Sequence, residues 1–165
     1  MIISIIYIVL SFLLDGITSN LISFNITNPS YFKTIYTIIS LVIMYNYFDN
    51  KKKYFIILIV LGALFDIVYT NTFLVNIVIF ITLYIILSNI DYQMPTNIIT
   101  INIKSIICIS FYHILTYIIL LLSHYNSYNL ELLLMIIIRS IIMTIIYTTI
   151  SYLILNKIYK DKKIK

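Results

Sequence analysis

Long apolar runs broken by short polar clusters set the pattern of this chain. A helix needs roughly 20 apolar residues to cross the hydrocarbon core of a bilayer. Six runs come near that length, at about 2–24, 31–48, 54–70, 73–90, 99–122 and 131–156. Turn-forming residues separate most of them: Asn25-Ile-Thr-Asn-Pro29-Ser30, Asp49-Asn-Lys-Lys-Lys53, Asp91-Tyr-Gln-Met-Pro95-Thr-Asn97 and Ser123-His-Tyr-Asn-Ser-Tyr-Asn129. The third and fourth runs are parted only by Thr70-Asn71-Thr72. They read as two spans, although a re-entrant piece fits the same pattern. The expectation is an all-α integral membrane protein. It has six transmembrane helices in a compact bundle and one polytopic domain over 1–165.

Composition supports the pattern. The chain is 62% hydrophobic and 10% charged, with a mean hydropathy of +1.05, whereas soluble domains carry roughly 25% charged residues. Ile, Asn, Tyr and Lys dominate, as in an AT-rich genome, so composition says little about function. The 16 Tyr supply the interfacial belt that Trp often shares. Cys108 is alone, excluding an internal disulfide, and no metal-ligand spacing surrounds it; it reads as a buried, inert thiol. The first run lacks a basic leader and a small-residue cleavage site, so it reads as a permanent span.

The net charge of +5 does not point to nucleic acid. Its lysines gather at 51–53 and after 156, as cytoplasmic charge does in membrane proteins. An even number of spans puts both clusters on one side, with both termini cytoplasmic. Lys33 and Lys104 are expected to snorkel.

Three formal charges interrupt the apolar runs: Asp15, Asp66 and Arg139. At 1.5 Å per residue, Asp66 and Arg139 fall roughly 6 Å outward of the midplane, and Asp15 a few ångströms outward. His113 falls at a similar level. Four polar groups at one depth point to one intramembrane cluster. A buried Arg needs an anion or carbonyls nearby, so a structural pair of Arg139 with Asp66, or next with Asp15, is the plain reading. A proton relay, a ligand counter-ion and pairing with a second chain are the alternatives. Polar stripes share faces with these charges: Ser11, Asp15 and Thr18; Gly62, Asp66 and Thr70; and Ser140, Thr144, Thr148 and Ser151 beside Arg139. Small and polar stripes mark helix–helix contact in membranes, within the chain before a partner. His113, with Ser110 and Thr116 within a turn, reads as a hydrogen-bonded His, and His124 falls in a loop.

No Gly-rich phosphate loop, Cys or His ligand pair or nucleophile elbow is present. No enzyme activity, cofactor, metal or small-molecule substrate is expected.

The stretch Gly62-Ala-Leu-Phe-Asp66-Ile-Val-Tyr69-Thr70-Asn-Thr-Phe-Leu-Val-Asn76 resembles the most recognisable part of the rod shape-determining MreD family. In that family a Gly, two residues, an apolar or aromatic position and an Asp fall near the end of the third span. Phe12-Leu-Leu-Asp15-Gly16 is similar to the acidic-plus-small pattern ending the family's first helix, and Pro29 stands where a Pro often precedes its second. The chain departs from the pattern at Leu74, where the family commonly has Gly. The resemblance makes Gly62, Asp66, Tyr69, Thr70 and Asn76 the signature residues. It implies a non-enzymatic component of the cell-wall elongation complex in the bacterial cell membrane, partnered by MreC and the elongation synthases. The outline is also similar to the six-helix substrate-binding subunits of energy-coupling-factor vitamin transporters, which supply the alternative function.

Overall fold

The computed structural model describes residues 2–21, 34–48, 50–94, 96–123 and 129–163. Among these the chain is all helical. The helices are α1 (Ile2–Leu21), α2 (Tyr36–Tyr45), α3 (Lys51–Phe65), α4 (Val75–Gln93), α5 (Ile98–Leu122) and α6 (Leu130–Lys163). One π-helical turn, Asp66–Thr70, extends α3. Five segments are long and apolar enough to cross a membrane: Ile3–Asn20, Lys51–Thr70, Val75–Gln93, Ile98–Leu122 and Leu130–Tyr159. This is the make-up of a multi-pass membrane protein.

The second run differs from expectation. Its helix has 10 residues, about 15 Å at 1.5 Å per residue, half of a hydrocarbon core of about 30 Å. Every residue of α2 is buried. A helix apolar all round belongs in a core, and α2 packs against α1, α5 and α6. Its ends need no water because side chains from neighbouring helices take them. The Asp15 carboxylate accepts from the first N–H groups. The Lys51 amine donates to the Tyr45 carbonyl and sits 3.6 Å from the centre of the Tyr45 ring. Tyr54 donates from the side to the Leu41 carbonyl at 2.9 Å. Thus α2 can stop where a lipid-facing helix could not.

The other helices enclose it. α3 pairs with α4, α4 with α5, and α5 with α6. The centre is filled by Ile38, Ile39, Ile43, Met44, Tyr54 and Phe80, none more than 1% exposed. Outward faces are apolar as well: α1 exposes Ile6, Val9, Leu10, Leu13 and Ile17, a surface suited to lipid.

Caps fix where helices begin. Asn50 accepts from Lys52 N and Lys53 N and starts α3. Asn97 and Thr100 form a reciprocal capping box at α5, which satisfies two otherwise orphaned N–H groups. The third and fourth runs are separate helices, joined by Asn71–Leu74. α6 continues through Lys163, past the 156 expected from the pattern. The turn signal at 25–30, Lys33, Pro95 and His124 lie outside the described residues.

Candidate functional site

The signature stretch is where α4 docks onto α3. Gly62 and Asp66 are four apart and share a face. A Cβ at Gly62 would stand 2.8 Å from Ile77 Cα, 3.0 Å from Ile77 N and 3.1 Å from the Asn76 carbonyl oxygen. Only hydrogen fits between the α3 backbone and the first turn of α4. One turn further on, Asp66 is 3% exposed. Its Oδ1 accepts from Asn76 N at 2.9 Å, Asn76 Nδ2 at 3.0 Å and the Thr72 hydroxyl at 2.5 Å. A carboxylate at a helix N-terminus meets unsatisfied N–H groups and the positive end of the macrodipole. Asp66 is therefore a cap for α4 supplied from α3.

The rest of the signature completes that joint. Asn76 Nδ2 also donates to Thr70 Oγ1 at 3.0 Å, and Thr70 and Thr72 hydroxyls lie 2.7 Å apart. From α5, the Tyr112 hydroxyl donates to Asn76 Oδ1 at 3.1 Å. The turn closes with Thr72 N donating to the Asp66 carbonyl at 3.1 Å. Two residues of the connection are left-handed, Asn71 at φ 48° and Leu74 at φ 63°. Leu74 thus adopts the backbone conformation a Gly provides freely, at the position where the resembled family commonly has one.

Asp15 repeats the device one helix pair earlier. It is 9% exposed. Its Oδ1 accepts from Tyr36 N at 2.8 Å, and its Oδ2 from Thr37 N at 2.9 Å and the Thr37 hydroxyl at 2.6 Å. So α1 caps α2 as α3 caps α4. The two joints touch through Tyr69, whose hydroxyl donates to the Phe12 carbonyl and lies 2.9 Å from where a Gly16 Cβ would be. Phe12, Phe65 and Tyr69 pack ring against ring, with centroids 4.8–5.6 Å apart. Tyr112 lies within electrostatic reach of both carboxylates.

The expected cluster is therefore only partly formed. Asp15 and Asp66 sit in two joints linked through Tyr69; Arg139 and His113 are half-buried, with the His113 ring on Tyr112 at 5.7 Å. Among the described residues the ion pair is Lys104–Asp91, not Arg139–Asp66. Asp66 Oδ2 has no hydrogen-bond partner among them. The correction has a physical cause. The α2 and α4 N-termini supply the positive potential that a guanidinium was expected to supply, and α6 packs on α5 and α2, not on α3. Lys104 is corrected too. It does not snorkel: its side chain is fully buried and its amine donates to Asp91 at 2.6 Å.

The polar stripes mostly face inward, although Thr70 is exposed. Ser11 bonds the Tyr147 hydroxyl at 2.9 Å, and Thr144 bonds Thr34 at 2.8 Å. Ser140, Thr148 and Ser151 are buried, while Thr18 turns back on the Leu14 carbonyl. Cys108 is buried and free. No metal-binding group of His, Cys, Asp and Glu occurs among the described residues. Sequence reading missed Thr72, Tyr112, Thr37 and the Lys104–Asp91 pair. The last had a signal, since opposite charges flank one short turn. Comparison with protein-family models, curated proteins and solved structures gives no match for this chain.

Proposed function

We propose that this chain is a non-enzymatic membrane scaffold of the MreD type. It serves the cell-wall elongation complex of the bacterial cell membrane and supports rod shape and lateral peptidoglycan synthesis through MreC and the elongation synthases. The observation that carries this reading is the use of the signature. Gly62, Asp66, Tyr69, Thr70 and Asn76 all make contacts that hold helices to one another. A cavity of about 10 Å³ lies in the apolar core beside Tyr54, Phe80 and Cys108. Sites for small ligands run to about 300–1,000 Å³, so the packed interior favours a scaffold over a vitamin carrier.

Six crossings, with both termini cytoplasmic, belong to the same reading. The Ser4 and Tyr159 hydroxyls are hydrogen-bonded at 2.5 Å, which supports both chain ends lying at one end of the bundle. The lysines there favour the cytoplasmic side.

Deleting the chain in a rod-shaped host tests the proposal. Cells should widen or round up while isolated cell-wall enzymes keep their activity, and mild-detergent purification should recover MreC. Normal shape combined with a vitamin requirement would replace this reading with the transporter subunit.

A further inference from the structure

The first turn of α3 breaks a local rule. Lys51, Lys52 and Lys53 open the helix, where the macrodipole disfavours cations. Lys51 is compensated by the Tyr45 carbonyl and ring. Lys52 and Lys53 are exposed, and no described hydrogen bond or ion pair uses their ammonium groups.

A second set of lysines lies alongside. Tyr159 of α6 stacks on Tyr47, in the turn between α2 and α3, with centroids 4.3 Å apart. It also bonds Ser4 of α1. Lys157, two residues earlier, is exposed, and the α6 backbone stays helical through Lys163. Charge is not balanced at this end. The described residues of the segments 50–53, 91–104 and 157–163 include eight of the chain's eleven basic residues but only two of its six acidic ones. Asp91 is already engaged by the buried Lys104. Such an excess is what a cytoplasmic membrane face carries, and here it stands against the local helix preference.

We propose that this end of the bundle is a docking face for anionic phospholipid headgroups, gripped by Lys52, Lys53 and Lys157. Position selects the occupant. Lys51 begins a membrane-crossing segment, and the apolar part of α6 ends at Tyr159, so these lysines sit at headgroup level. Lipid phosphates are the anions already there. Basic clusters just beyond a membrane helix gain about tenfold or less in affinity per lysine from an anionic leaflet, and salt weakens the gain.

The test uses the full chain purified in neutral detergent and offered equal amounts of phosphatidylglycerol and phosphatidylcholine. Native mass spectrometry counts the lipid retained. The wild type should prefer phosphatidylglycerol by on the order of tenfold to a hundredfold, and raising salt should erase most of that preference. The triple variant K52Q/K53Q/K157Q, changed only at exposed positions, should lose most of it at low salt. Equal retention of both lipids by the wild type would overturn the proposal. So would an unchanged preference in the triple variant, or stronger capture of polyglutamate than of phosphatidylglycerol, which would point to an acidic protein instead. The salt series on the wild type keeps the test decisive should the variant fail to fold.

Discussion

Replacing Gly62 by Ala tests whether the α3–α4 joint is as tight as its geometry. The added methyl would sit 2.8 Å from Ile77 Cα and 3.0 Å from Ile77 N, against ordinary carbon–carbon contacts of about 3.5–4.0 Å. Both obstacles are backbone, so no rotamer change removes them. The first turn of α4 must retreat by roughly 1 Å, following from the same contact distances. Asp66 Oδ1 now holds Asn76 N at 2.9 Å and Nδ2 at 3.0 Å, and a retreat of that size takes both bonds past useful length. Overpacking costs about 1–3 kcal/mol, and weakening one bond to a charged group adds about 1.5–3 kcal/mol. Against this, Ala gains about 1 kcal/mol of helix propensity over Gly. The net expectation is a loss of about 2–4 kcal/mol, read by circular dichroism as sodium dodecyl sulfate unfolds the protein in mixed micelles. Gly16→Ala is the control. Its methyl meets the Tyr69 hydroxyl at 2.9 Å, the far end of a side chain that can swing, so the net change should stay within about 1 kcal/mol. A Gly62→Ala protein as stable as wild type, or a Gly16→Ala protein that suffers equally, would refute the reasoning.

The other expectations concern charge and backbone. Asp66→Leu and Arg139→Leu should add to within about 0.5 kcal/mol, because the described Asp66 bonds go to α4 and its turn; rescue of one variant by the other in the same unfolding assay would restore the ion pair. Asp15→Leu should cost about 2–4 kcal/mol, since two buried N–H groups of α2 lose their acceptor, and a shift below about 1 kcal/mol would mean that α2 does not depend on this cap. Leu74→Gly should raise the melting midpoint, by up to about 1 kcal/mol of stability, as the left-handed backbone is relieved; a drop would show that the half-exposed leucine side chain matters more than its φ. Asp91→Asn should weaken the fold by about 3–5 kcal/mol by stranding the Lys104 charge, whereas Lys104→Met, which removes that charge, should cost clearly less. Equal losses would mean the pair is not what the interior pays for.

Much of the architecture was legible because hydrophobic run length is a strong signal. Five of the six runs became helices long enough to cross a membrane. The second run shows a shorter described helix because run length measures apolarity and not surroundings: Tyr36–Tyr45 is as apolar as a lipid-facing helix, yet it is buried in protein along its whole length. Only a three-dimensional neighbour reveals that. Asp15 and Asp66 each cap the helix that follows.

Depth counting failed for Arg139 because depth says nothing about azimuth. Residues at one level meet only if their helices are neighbours, and the main packing partners of α6 are α5 and α2. The sequence also offered no hint that a backbone would act as the cation. Charge pairing was sought among side chains, while the donors proved to be Tyr36 N, Thr37 N and Asn76 N. A hydropathy pattern does not show where a helix starts inside a bundle, and the start is what creates those donors. Yet the trace was there in part. Each buried Asp lies in the C-terminal part of one helix, ahead of a short or turn-rich link to the next, and each has a Gly within four residues on its own helix. At Asp66 that combination puts a carboxylate and a close-approach surface beside the N-terminus of the following helix, whereas the close approach at Gly16 is to Tyr69. In this chain, an Asp deep in an apolar run is better explained by the helix that begins after it than by a cation elsewhere.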